Sequence, residues 1–367
     1  MRILVFGAGA IGSLLGHRLA HAGHEVTLIG RPQYVRAVHE RGLILEERSL
    51  PSHEHVERPQ QERGPALYGP TTVHPVAVEG IEHIPSAQRS WDLVLLTVKA
   101  YDTQAAAQAL APYLSSDVPL LIVQNGVGGE ELAQEVLKQA AIISGVITLS
   151  VSVLAPGHVR LETTRGGLNL APTREDQDLD DWAQLFATAG MKTATYRNYR
   201  ALKWSKLLLN IQANAIPAIL DMTPGTAFAN PSLFALERSA FLEALAVMRT
   251  LHLKPIHFPG YPVPLLTWAM ETLPPSLLRP LLRRLFASGR GDKPPSLQID
   301  LARGRQRSEA LYLNGAVVTY AERLGLDVPV NRVLLDTLMG IAAGSLAWDE
   351  FRGQPQRLVA AVQAGKE

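Results

Sequence analysis

The 367-residue chain contains no cysteine, which removes disulfides, thiolate nucleophiles and cysteine-ligated zinc or iron–sulfur sites together and fits a reducing compartment. It also lacks a charge excess: 35 Lys and Arg against 34 Asp and Glu leave a formal +1. That balance supplies no broad positive field, so neither nucleic acid nor a membrane surface is an expected partner. Long apolar runs are missing too. The longest candidate, residues 207–220, is interrupted by Asn210, Gln212, Asn214 and Pro217, and falls short of the roughly 18 uncharged residues of a membrane span. At the N-terminus Arg2 precedes an apolar stretch and Ala20-His21-Ala22 imitates a cleavage site. Even so, His17 and Arg18 sit where the apolar core of a signal peptide would continue, and Gly7, Gly9 and Gly12 interrupt it. A cytoplasmic protein is expected.

What is present is a folding chain: 47% hydrophobic and 19% charged residues carry enough apolar material to offset the ordering entropy of a globule. At roughly 150 residues per domain the length suggests two domains. Apolar runs at 2–6, 25–29, 92–98, 119–123 and 141–146 read as buried strands, with helical patterns between them at 102–112 and 129–138. Alternating strands and helices predict an α/β fold with a Rossmann-type doubly wound sheet, completed by antiparallel strands over 147–172. Beyond residue 197 the pattern becomes helical, at 201–220, 231–252, 297–324 and 329–343, which predicts a C-terminal all-helical domain. The expected division is 1–197, binding the cofactor, and 198–367, completing the substrate site. Two stretches look inserted. Residues 48–70 are polar with four prolines, and 262–295 read as a proline-punctuated pair of short helices. Arg279, Arg283, Arg284 and Arg290 are read as a solvated face opposite a Leu278, Leu281, Leu282 and Leu285 stripe.

The segment Gly7-Ala8-Gly9-Ala10-Ile11-Gly12 directly follows a strand and opens a helix, the context that turns a glycine-rich motif into a dinucleotide fingerprint. Gly7 permits the tight turn, Gly9 lets a pyrophosphate approach the backbone, and Gly12 allows close helix packing. Past the second strand the chain reads Gly30-Arg31-Pro32-Gln33, with no Asp or Glu from Val26 to His39 to hold the ribose 2′-hydroxyl of NAD. Arg31 is placed to pair with a 2′-phosphate, so the expected cofactor is NADPH.

A helix starting at Trp204 is nearly apolar all round, yet Lys206, Asn210 and Asn214 recur every four positions along one face. Burying an ammonium and two amides costs several kcal/mol unless each finds a partner. A desolvated lysine tends toward the lowered pKa a general acid needs. On spacing alone, a polar stripe satisfied between domains is an equal alternative. His53-Glu54-His55, in a proline-rich loop with no third ligand, reads as solvated, and no metal site is expected.

With these pieces the chain resembles the ketopantoate reductase family (2-dehydropantoate 2-reductases) over nearly its whole length. The resemblance rests on the glycine fingerprint, Thr97-Val98-Lys99-Ala100, Gln124-Asn125-Gly126-Val127-Gly128, and Trp204-Ser205-Lys206-Leu207 with Asn210 and Asn214. It extends to Gly304-Arg305, Ser308-Glu309 and Leu313-Asn314-Gly315. It implies an enzyme of pantothenate biosynthesis, a small-molecule 2-keto acid substrate, and catalytic roles for Lys206 as general acid and Glu309 as the group orienting the substrate hydroxyl. It further implies substrate contacts from Asn125, Asn210, Asn214 and Ser296, and cofactor contacts from Lys99 and Asn125, beside those already expected of residues 7–12 and Arg31. A homodimer is one assembly open to such a chain. The departures are the two insertions and one extra residue between Gly304-Arg305 and Ser308-Glu309, which bear on the identity of the keto acid. The competing readings are an NADPH-dependent reductase of another 2-keto acid or an opine-type imine, and a non-catalytic NADPH sensor. A sensor has no use for the proton donor.

Overall fold

The structure, a computed structural model, describes residues 1–47, 69–163, 165–289 and 294–365. Its N-terminal part is built on β1 (Arg2–Phe6), β2 (Glu25–Ile29), β5 (Val76–Val78), β6 (Leu93–Leu96), β7 (Pro119–Ile122), β8 (Ala141–Ile147), β11 (Leu168–Pro172) and β12 (Thr193–Thr195). They form one sheet in the order β12-β11-β8-β7-β6-β1-β2-β5. The six strands from β5 to β8 run parallel, and β11 joins β8 antiparallel. Central strands such as β6 are buried on both faces, which is why they read as unbroken Leu and Val runs. Helices α1 (Ala10–His21), α2 (Pro32–Arg41), α3 (Thr103–Leu110), α4 (Gly129–Val136) and α5 (Asp180–Thr188) cover the sheet. The expected fold class is borne out.

A second sheet was not foreseen. Strands β3 (Leu43–Glu47), β4 (Thr71–Val73), β9 (Val151–Ala155) and β10 (His158–Leu161) pair in the order β4-β3-β10-β9. The 147–172 stretch therefore divides, with β9 and β10 going to this sheet and β11 returning to the first. Helix α1 lies between the two sheets: Leu15 and Leu19 join the large sheet's core, while Leu14 packs with Leu45, Val151, Val159 and Leu161.

The remaining chain is helical: α6 (Tyr199–Ile211), α7 (Ala215–Leu220), α8 (Pro224–Ala229), α9 (Pro231–Thr250), α10 (Val263–Thr272), α11 (Pro275–Gly289), α12 (Ser296–Ala302), α13 (Asn314–Leu324), α14 (Pro329–Ala343) and α15 (Pro355–Ala364). Two expected helices are each broken. The 201–220 helix stops at Ile211 because Pro217 lacks an amide hydrogen and its ring would meet the carbonyl of Ala213 in a continuous helix. The break is held by buried Glu237, whose carboxylate accepts from Ala213 N at 3.0 Å and whose carbonyl accepts from Gln212 Nε2 at 3.0 Å. The 297–324 helix is interrupted after Ala302, where Gly304 adopts φ +64°, and resumes at Asn314 after a 3-10 turn, Glu309–Tyr312. In α11 the buried leucines are Leu278 and Leu282, whereas Leu281 is exposed, so the apolar stripe is narrower than read. The Leu285 side chain and Arg290 lie outside the described residues, as does His53-Glu54-His55. Val127, Val146 and Ala171 of the N-terminal part enter the same core cluster as α6, α7 and α9. Among the described residues no helix is long and apolar enough to cross a membrane, and no group of three or more His, Cys, Asp or Glu could hold a metal ion.

Buried His17, on α1, puts Nε2 3.0 Å from Thr71 O, and burial lowers its pKa from 6.5 to about 4. Below pH 6.5 the unfolded chain binds a proton there that the folded chain refuses, so stability falls as pH falls. The loss should run at roughly 1.4 kcal/mol per pH unit, reach about 3 kcal/mol, and level off once the folded histidine also protonates. Urea unfolding at about pH 7, 5.5 and 4.5 should show this slope, and His17→Gln should remove that share of it.

Candidate active site

In an open parallel sheet a ligand crevice forms at the carboxyl ends of the strands where the chain order reverses. Here that point is β1, whose neighbours are β2 on one side and β6 on the other. The strand ends bring four of the expected groups to one edge. Arg31 follows β2, the fingerprint follows β1, Lys99 follows β6, and Asn125 follows β7.

The three fingerprint glycines have different surroundings. Gly7 has φ +116°, and a Cβ on it would lie 2.5 Å from Val98 N. A Cβ on Gly12 would lie 2.2 Å from Gly7 O and 2.6 Å from Thr97 Oγ1. These two are demanded by packing. Gly9 is the exception: a Cβ there would meet nothing within 4 Å. Gly9 also caps α1, with no side-chain cap bond and no acidic residue in the first turn, so the positive end of the helix dipole faces that space uncompensated by a carboxylate. Ala8, Ala10 and Ile11 fill the turn between them. Arg31 is exposed at the start of α2.

The helical part meets this edge through α6. Lys206 is half-buried on it, one turn before Asn210. Asn210 Nδ2 donates to Asn125 Oδ1 at 3.3 Å, which ties the helix face to the end of β7. Asn214 lies past the helix break, yet its Nδ2 donates to Asn210 O at 3.1 Å, which keeps it with the stripe. Its Oδ1 accepts from Leu297 N at 3.3 Å, and that bond fixes the first turn of α12 and with it the half-buried Ser296.

Glu309 is buried, and its carboxylate is ion-paired with Lys99. Lys99 also reaches Asp300 Oδ2 at 3.5 Å, and Asp300 Oδ1 accepts from Arg305 at 2.8 Å, giving two acids and two bases in one network. Burial alone would lower the Lys99 pKa, but the Glu309 and Asp300 charges outweigh it and hold it above the usual lysine range. Residues separated by about two hundred positions are thus joined across the two parts. The same segment reaches the β7 loop, where Val127 N donates to Tyr312 O at 3.1 Å.

Besides Glu237 at the helix break, three buried charges at this site escaped the sequence reading. Lys203, on α6, places Nζ 3.0 Å from Glu130 Oε1 and donates to Gln124 O at 2.7 Å. Asp300 is the third. Starting the helix at Trp204 cut Lys203 off, although stepping back from Lys206 by three and from Asn210 by seven finds it on the same face. Glu130, at the start of α4, looks like an ordinary first-turn acid, and nothing in its spacing marks it as buried.

A switch-point crevice facing a helical part that contributes an ammonium, amides and a carboxylate is the architecture of a nicotinamide-dependent oxidoreductase. Residues 3–175 match the family model described as ketopantoate reductase PanE/ApbA, and residues 198–342 match that of its C-terminal part. The chain belongs to the ketopantoate reductase family. It is 29% identical over 337 residues to a 2-dehydropantoate 2-reductase of Pyrococcus horikoshii, covering 91% of this chain and 95% of that one. A PanE/ApbA family ketopantoate reductase crystal structure from Ralstonia eutropha JMP134 is 32% identical, superposes with TM-score 0.74, and covers 94% and 99% of the two chains. A D-mandelate dehydrogenase structure with NADH and anilino(oxo)acetate shares the fold at TM-score 0.75 and 20% identity, covering 94% and 99%.

The glycine geometry makes a prediction about folding. Gly9→Ala should change unfolding free energy by less than about 1 kcal/mol, since the added methyl group meets no atom. Gly12→Ala should cost at least about 2 kcal/mol, because the methyl group is driven into a carbonyl oxygen at the turn. Urea unfolding of the two variants side by side checks the order.

Proposed function

We propose that the protein reduces the 2-keto group of ketopantoate to the hydroxyl of pantoate, with NADPH as reductant and Lys206 as proton donor. The observation that carries this reading is the Asn210 to Asn125 hydrogen bond, which seats the lysine-bearing face of α6 at the strand ends that follow the fingerprint. The residues present fit the cofactor. Open space at Gly9 beside an uncapped helix N-terminus suits a pyrophosphate, and exposed Arg31 suits a 2′-phosphate. The D-mandelate dehydrogenase structure contains NADH. In the present chain no acid follows β2 through His39, which is why NADPH is preferred here.

When bound, NADPH supplies hydride to the carbonyl carbon. The chain's own residues do the rest. Negative charge develops on the carbonyl oxygen, and the Lys206 ammonium both stabilises it and donates a proton from Nζ, regaining one from water afterwards. Asn125, Asn210, Asn214 and Ser296 offer uncharged polar groups that orient the carboxylate and carbonyl. Glu309 accepts from the substrate's 4-hydroxyl, and Lys99, ion-paired with that carboxylate, contacts the cofactor. A second 2-keto acid is favoured by one observation: the inserted stretch 262–295 immediately precedes Ser296 in the sequence and can reshape the pocket there.

NADPH oxidation against ketopantoate, its deoxy analogue 2-keto-3,3-dimethylbutyrate, aromatic 2-keto acids and imines tests the reading. Ketopantoate should exceed the deoxy analogue by roughly ten- to a hundredfold in kcat/KM, because the analogue forfeits the charge-assisted hydrogen bond from its hydroxyl to the buried Glu309 carboxylate. Lys206→Ala should lower kcat by roughly two to four orders of magnitude with NADPH affinity nearly intact. Normal turnover in that variant would place the proton donor elsewhere. NADPH should bind at least about tenfold more tightly than NADH, and Arg31→Ala should erase most of that gap. Equal affinities in the unmodified protein overturn the cofactor assignment.

A further inference from the structure

The buried Lys203–Glu130 pair lies beneath the face of α6 just described and plays no part in the reaction as proposed. Both residues are 3% exposed. Such a pair is a weak device for stability, since apolar residues of similar volume often do as well. Glu130 Oε2 has no hydrogen-bond partner, so this pair is not optimised even as a pair. Its geometry serves something else. The Lys203 ammonium divides its donors between Glu130 Oε1 at 3.0 Å and the backbone carbonyl of Gln124 at 2.7 Å, and Gln124 immediately precedes Asn125. Glu130 Oε1 is in turn fixed by Ser144 Oγ of β8 at 2.6 Å.

From the other side the Gln124 side chain is held within the α/β part, accepting from Thr103 Oγ1 at 2.9 Å and donating to Val98 O at 3.0 Å. Helix α6 therefore grips the 124–125 segment at two points. Lys203 holds the carbonyl of Gln124, and Asn210, two turns later and about 10 Å along the axis, holds the side chain of Asn125. Lys206 lies between the two grips.

We infer that Lys203 and Glu130 are positioning residues, forming one jaw of a two-point clamp that fixes Lys206 and Asn125 relative to each other across the two parts of the protein. This rests on the reductase reading for its kinetic consequence but not for its structural one. An ammonium is needed because the jaw must satisfy a carboxylate and a carbonyl at once, which no apolar replacement does. Once the pair is gone, α6 keeps its apolar contacts but loses one of its two fixed distances to the β7 loop. A misplacement of even an ångström at a reacting centre costs rate rather than affinity.

The test uses Lys203→Met with Glu130→Gln, so that no unpaired charge is left buried. This double variant should melt within a few degrees of the unmodified protein, lose roughly ten- to a hundredfold in kcat, and shift the KM for NADPH and keto acid by less than about threefold. Asn125→Ala added to it should lower kcat further, since it removes the second grip and Asn125's own substrate contact, but by several-fold less than it lowers kcat in the unmodified protein, where Asn125 is still held in place. Lys203→Arg, which keeps both donations, should recover most of the rate. Hydrogen exchange without substrate should show the Val127 amide losing protection about tenfold in the double variant while β7 core amides such as Leu121 hold theirs. Unchanged kcat in the double variant, a fully additive Asn125→Ala loss, or a folded Lys203→Arg protein no faster than the double variant each overturns the clamp. If the unmodified protein reduces no 2-keto acid but the exchange result stands, the function proposed above fails and the clamp survives.

Discussion

Everything at this site hangs on one constraint: a nearly apolar helix, buried on most of its circumference, has to carry charged and amide groups on its remaining face. Helix α6 meets that constraint by placing its polar face on the carboxyl ends of parallel strands, where backbone carbonyls and loop side chains are available as partners. Its apolar faces meanwhile merge with Val127, Val146 and Ala171, so the two parts of the chain share a core rather than touching at a surface. The helix cannot slide without both exposing apolar area and orphaning buried polar groups. That double penalty gives the crevice its fixed geometry.

The second junction is electrostatic. Lys99 reaches from the end of β6 to Glu309 and Asp300, and Arg305 balances the surplus carboxylate. Because the network carries as many positive as negative groups, the desolvation of each charge is offset by a partner of opposite sign. It also pins the 3-10 turn that carries Glu309 against the β7 loop, through the Tyr312 carbonyl. Helix and turn thus close on the same loop from different directions.

How much of this the sequence disclosed follows from the range of the interactions. Strands β1, β6 and β7 were legible because burial leaves nearly unbroken apolar runs, β2 and β8 because apolar residues outnumber the few polar ones such as Thr27 and Ser144, and the fingerprint was legible because its turn, its helix start and its packing glycine all fall within six residues. Strands β3, β4 and β5 were not, since they are short, partly exposed and defined by partners far away in sequence. The break after Ile211 was foreshadowed by Pro217 but overridden by the apolar periodicity around it. Spacing puts Lys203 on the polar face of α6, but the burial of Lys203 and Glu130 was not legible, since a charge reads as exposed until its counter-charge is known, and that partner lies about seventy positions away.

The sandwiching of α1 between two sheets has an entropic consequence. Leu15 and Leu19 are seated in one layer and Leu14 in the other, so the helix is immobilised before any ligand arrives. Its free N-terminal amides are already aimed, and little conformational freedom remains to be surrendered when an anion docks on them. Affinity at that end of the crevice can then come from few contacts, because the cost of ordering the receptor was met when the chain folded.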